Sequence, residues 1–177
     1  MKTKCFDDFA ESLQQVRQKA ATADALLLRL LLAHTVTLME VYLHDIVQGL
    51  ISKDQGLMLK LAESKYFQSH KITLATAIKS DTKLQLQALV KEINFHSLGD
   101  VEPLFRQAFN IKITITPLLV DLIKQRNDIA HRNGRDKLGL PLVLTTDAVT
   151  QAADSILSLV QKVDEQAVLA YGHFING

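Results

Sequence analysis

A chain of 177 residues can bury one good core and is too short for two full-sized domains. Its 47% hydrophobic and 22% charged residues, with a formal net charge of +1, exclude a disordered chain and give no sign of a protein that coats nucleic acid or membrane; any basic surface must be local. One cysteine, Cys5, excludes an internal disulfide and a cysteine-only zinc site and fits a reducing cytoplasm.

Seven glycines and three prolines allow few turns, which favours helices over a many-stranded sheet. The N-terminal MKTKCFDDFAESL carries acids where a signal peptide has its apolar core, so secretion is not indicated. Phe6, Phe9, Leu13, Val16 and Ala20 recur in steps of three and four, an apolar helical stripe with Thr3 as a cap. A long helix follows from about Asp24 to Ser52. Arg29, Glu40 and Asp45 interrupt it, so it reads as the central core helix and not as a membrane span.

Residues Asp54 to Ser64 form a short helix, and YFQSHKITLATAIKS mixes β-branched residues into a helix-like pattern. Asp81 caps a helix carrying Leu84, Leu86, Leu89, Val90 and Ile93. Gly99 and Asp100 punctuate the chain before another short helix, VEPLFRQAF. IKITIT alternates like a strand but has no partner, and is expected to be an extended connection. Thr116 and Pro117 start a helix that carries Leu118, Leu119, Leu122, Ile123 and Ile129 to a cap at Gly134. LGLPLVLTT is a loop, and a last helix from about Asp147 to Glu165 buries Val149, Ile156, Leu159, Val160 and Val163. The expected architecture is one all-α domain over residues 1–177, a helical bundle with a long central helix and small inserted helices.

The densest charge lies in KQRNDIAHRNGRDK, residues 124–137, with five cations and a histidine in fourteen positions. A helix dipole favours cations in its last turn by roughly 0.3–1 kcal/mol each, which accounts for His131 and Arg132. It does not account for Arg126, two turns earlier. Arginine presents a planar fork of donors that matches phosphate oxygens, and histidine can give or take a proton near neutral pH. Binding and cleaving a phosphodiester needs both.

RNDIAHRNG resembles the signature of the HEPN superfamily: an arginine, a polar residue, and a histidine after four to six intervening positions. TLMEVYLHDIV resembles the acidic-aromatic helix that many members carry early, and the all-α reading agrees. The resemblance implies a metal-independent endoribonuclease, often a toxin or defence protein, that acts as a homodimer without a cofactor. Toxins of this kind travel with an antitoxin partner. At the matched positions Arg126 would hold the scissile phosphate and His131 would move a proton at the ribose 2′-hydroxyl or the leaving 5′-oxygen. Asn127 would orient His131 or donate to the phosphate. Lys124, Arg132, Asn133 and Arg135 are the candidates for RNA contact, with Glu40 and Asp128 in support. Some relatives carry a tyrosine two places after the histidine that a partner enzyme modifies; Asn133 stands there in this chain.

Geometry adds a condition. Five residues of α-helix advance about 500°, so Arg126 and His131 point roughly 140° apart, while Asn127 and His131 share a face. Two motifs facing each other across a twofold axis would restore convergence.

Glu40 and His44, four apart, suit a polar contact to the helix of Arg126 better than a metal site, since di-metal bundles place a carboxylate three residues before histidine, twice. His70 and Lys71 read as a solvated turn, His96 and His173 as surface residues. The chain has no glycine-rich phosphate loop and no GxSxG, and its Phe and Tyr residues offer no base-stacking platform. Two further readings stay open: a non-catalytic HEPN-like module that binds RNA or a partner protein, and a structural bundle dimerised through charge.

Overall fold

In the computed structural model, which describes residues 1–68, 70, 71, 73 and 81–175, most helices begin where a short polar side chain accepts from a free N–H of the first turn. Thr3 accepts from the amide of Phe6 and opens α1, Lys4–Ala20. Asp24 accepts from that of Leu27 at 2.8 Å and opens α2, Ala25–Lys53. Asp54 does the same for α3, Gln55–Ala62, and Asp81 for α4, Thr82–Lys91. Helix α5 spans Leu98–Phe109, and Thr116 with Pro117 opens α6, Pro117–Arg132. Helix α7 runs Thr146–Ile175. These seven helices, with no strand among the described residues, make the all-α fold expected from the sequence. Most of YFQSHKITLATAIKS and the side chain of His173 lie outside the described residues.

The fold is organised by α2. Its buried residues recur at Leu28, Leu31, Leu32, Thr35, Val36 and Met39, and on through Tyr42, Leu43, Ile46, Val47, Leu50 and Ile51. Steps of one and three make an apolar face too wide for one neighbour to cover. Helices α1, α6 and α7 pack around it, α4 joins at its C-terminal half, and α3 packs on α5. By length and apolarity α2 could cross a bilayer; in this fold its apolar face is covered by other helices. Each fully buried aliphatic side chain, such as Leu32 or Leu43, contributes about 1.5–3 kcal/mol.

Two helix boundaries differ from the sequence reading. Gly99 and Asp100, expected as punctuation, lie inside the first turn of α5, because Leu98 and Val101 on either side are buried in the core. Helix α7 continues ten residues beyond Glu165. Contacts to the end of α5 and to the extended connection after it hold those added turns. Gln166 accepts from the amide of Lys112 at 2.9 Å and donates to its carbonyl at 3.0 Å, and the Tyr171 hydroxyl donates to the Phe109 carbonyl at 2.8 Å. The connection itself turns Ile111 and Ile113 inward, as the alternation of IKITIT suggested.

A buried carboxylate locks three helices together. Asp164 on α7 accepts from the Thr3 hydroxyl at the start of α1 and from the Tyr42 hydroxyl of α2 at 3.2 Å, with the Lys2 ammonium 4.0 Å away. Burial first, then the Asp164 charge, push the Tyr42 phenol above its ordinary range. The folded phenol therefore keeps its proton where a phenol in the unfolded chain loses it, near pH 10. Stability from this group is complete below that pH and falls above it, by up to ~1.4 kcal/mol per pH unit. Urea unfolding from pH 8 to 11 should show the decline in the parent and a shallower one in Tyr42→Phe; equal slopes would contradict this account.

Candidate functional site

Helix α6 is regular from Pro117 to Arg132, so its residues face where the helical pitch sends them. Leu119, Leu122 and Asp128 turn into the protein. Arg126 turns toward α2: its Nη2 lies 3.5 Å from Glu40 Oε1, both side chains are 19% exposed, and its Nη1 donates to Asn127 Oδ1 at 3.3 Å. Glu40 thus makes the polar contact to the α6 arginine expected from the sequence. Asn127 and His131 instead line a groove of ≈ 630 Å³ with His96, Val120, Ile123 and Lys124. The structure therefore places Asn127 and His131 on one face and Arg126 on the next, as the pitch requires.

The His131 side chain is exposed and makes no hydrogen bond or ion pair with the described residues. Its ring is free to meet a ligand. The cations around it are less free. Arg132 Nη1 donates to Asp128 Oδ1 at 2.5 Å, and the Asp128 side chain is 5% exposed. Arg135 Nη1 donates to the Gly139 carbonyl at 3.0 Å, within a turn that Asp136 holds by accepting from the amides of Leu138 and Leu140. Lys124 and Lys137 also line the groove.

The end of α6 differs by one residue from the expected cap. The helix stops at Arg132, and Asn133 and Gly134 both adopt left-handed conformations, at φ 53° and 72°. Both amides return to the Asp128 carbonyl, that of Gly134 at 3.0 Å. Asp128 therefore closes the helix with its carbonyl and fixes Arg132 with its carboxylate. Asn133, an expected RNA contact, serves the backbone as a cap and keeps an exposed side chain. Gly134 is buried against Arg29 of α2, whose Cδ would lie 2.7 Å from an added Cβ.

His96 corrects the sequence reading. It was expected on the surface, yet its side chain is only 19% exposed, and its Nδ1 lies 3.1 Å from Glu40 Oε1, the same oxygen that faces Arg126. Neither Nδ1 nor Oε1 meets the angular requirement of a hydrogen bond, so the pair is an electrostatic approach between two buried polar atoms. No periodicity links residue 96, in a connection between helices, to residue 40, so the sequence holds no cue to the pairing. His44 lines a smaller groove with Glu40 and His96, and its Nδ1 lies 2.8 Å from Asp45 Oδ1. No three His, Cys, Asp or Glu side chains among the described residues are grouped as metal ligands would be.

An all-α bundle whose late helix carries RNDIAH beside Glu40 of a long central helix has the form of a HEPN-type domain. The chain belongs to the RiboL-PSP-HEPN family, whose model matches residues 3–169. Comparisons with curated proteins and with solved structures gave no match.

The left-handed turn gives a direct test of the site's scaffold. Replacing Gly134 by alanine forces a Cβ into a left-handed conformation and against Arg29, at a cost of about 1–2 kcal/mol. Gly134→Ala should lower the urea midpoint accordingly, with the slope of the transition unchanged.

Proposed function

We propose that this HEPN-type domain is a metal-independent endoribonuclease. The observation that carries the reading is the free imidazole of His131, set beside Asn127 in a groove that Lys124, Arg132 and Lys137 also line. Lysines there attract a phosphate backbone, and an exposed histidine can accept the proton of a ribose 2′-hydroxyl. That hydroxyl attacks the adjacent phosphorus, the 5′-oxygen leaves, and the products carry 2′,3′-cyclic phosphate and 5′-hydroxyl ends. DNA lacks the nucleophile and is not cut.

Arg126 is the phosphate-holding group in this reading. Glu40 and Asn127 each face one terminal nitrogen, which orients the guanidinium and leaves other N–H donors for phosphate oxygens. Because Arg126 and His131 face different ways in one chain, a homodimer would bring the two kinds of group to one RNA strand. Exposed Leu30 and Val41 on α2 and Leu118 and Val120 on α6 are apolar surface that a second copy could cover. As a toxin or defence ribonuclease it would work in the cytoplasm and be restrained by an antitoxin protein.

The pairing of Arg126 with Glu40 also favours a second reading, a non-catalytic module that binds RNA or a protein. An arginine already matched by a carboxylate is weaker toward phosphate than a free one.

One assay separates the two. Purified protein is incubated with unstructured RNA in excess chelator, beside His131→Ala and Arg126→Ala. Cleavage by the parent to 2′,3′-cyclic phosphate ends, falling about 10²-fold or more in either variant, supports the enzyme. Salt-sensitive binding without cleavage supports the module.

A further inference from the structure

The cleavage just described moves two protons. One leaves the 2′-hydroxyl as the oxygen–phosphorus bond forms, and one must reach the 5′-oxygen as its bond to phosphorus breaks. The attacking and departing oxygens lie on opposite sides of the phosphorus, so one imidazole is poorly placed to serve both at once. The RNDIAH stretch supplies one histidine per chain, so within a chain the second role needs another.

The groove that holds His131 also holds His96, brought there by the connection between α4 and α5. Its Nδ1 is buried and turned toward Glu40 Oε1, which leaves Nε2 as the nitrogen able to meet a ligand in the groove. Glu40 supplies a counter-charge when the ring carries its second proton. Arg126 faces the same carboxylate oxygen.

Resting on the ribonuclease reading, we propose that His96 is the general acid of the reaction, donating the proton from its Nε2 to the leaving 5′-oxygen while His131 of the same chain accepts the proton of the 2′-hydroxyl. After each turnover His96 is a neutral imidazole and His131 an imidazolium, and exchange with water restores both. Acid and base then come from one chain, while the dimer brings Arg126 from the other.

Several charges face His96 besides Glu40 and Arg126. His44 and Lys91 line a smaller groove on one side of it. On the His131 side lie Lys124 and Lys137, together with Asp128, whose charge is taken up by Arg132. None of these others is placed in contact with the His96 ring as Glu40 is.

The test is the pH dependence of kcat/KM for RNA cleavage by the full chain, in chelator, for the parent, His131→Ala, His96→Asn and His96→Gln. A base must be deprotonated and an acid protonated, so parental activity should fall on both the acid and the alkaline side. Both His96 variants should lose about 10²-fold, and their residual activity should no longer fall on the alkaline side. His131→Ala should instead lose the acid-side fall.

His96 variants within about threefold of the parent would overturn the assignment, as would variants that keep the alkaline fall, or a parent that lacks it. The ribonuclease reading would survive each of those results. Loss of helical structure in both variants would make His96 a packing contact and also overturn it. A parent that cleaves no RNA would end the ribonuclease reading itself, and this assignment with it.

Discussion

A 29-residue helix with an apolar face as wide as that of α2 has to be surrounded, because burying that face is the main favourable contribution to the fold. Helices α1, α6 and α7 enclose it. The enclosure carries a liability, since Glu40 sits at the middle of α2 with its carboxylate four-fifths covered. A carboxylate so placed is costly unless a cation or other polar group reaches it. Arg126 from α6 comes within 3.5 Å and His96 from the α4–α5 connection within 3.1 Å. The arrangement of the candidate site follows from that one requirement.

The same requirement divides the work of the site. The pitch of α6 sends Arg126 to the acid and Asn127 with His131 to the groove, so the guanidinium is fixed by the core while the imidazole stays in solvent. In the proposed ribonuclease such a division would suit the chemistry, in which one group must be rigid and charged and another must exchange protons with water. Asp128 holds the geometry at the open end. It binds the last two amides through its carbonyl and Arg132 through its carboxylate, so His131 sits on a helix end that cannot easily fray.

The charge density of residues 124–137 overstates the cation available to a ligand. Arg126, Arg132 and Arg135 are each engaged within the chain, by Glu40, Asp128 and the Gly139 carbonyl. Lys124 and Lys137 have no carboxylate partner among the described residues. The surface is thus a local, modest attractor, in keeping with a chain of net charge +1.

Local signals determined much of this protein. Thr3, Asp24, Asp54, Asp81 and Thr116–Pro117 mark helix starts because capping is a contact between near neighbours in the chain. The apolar steps of α2 mark it as central, and RNDIAH, with the turn of the helix, predicts that Arg126 and His131 diverge. What the tertiary structure alone decided are the long-range polar contacts. They include the meeting of His96 with Glu40, the lock of Asp164 on Thr3 and Tyr42, and the ten added residues of α7 held by residues 109–113. A hydrogen bond or ion pair between distant residues leaves no periodicity in either segment, since one polar side chain at one position satisfies it. Such pairs exist only once packing has set the backbones side by side.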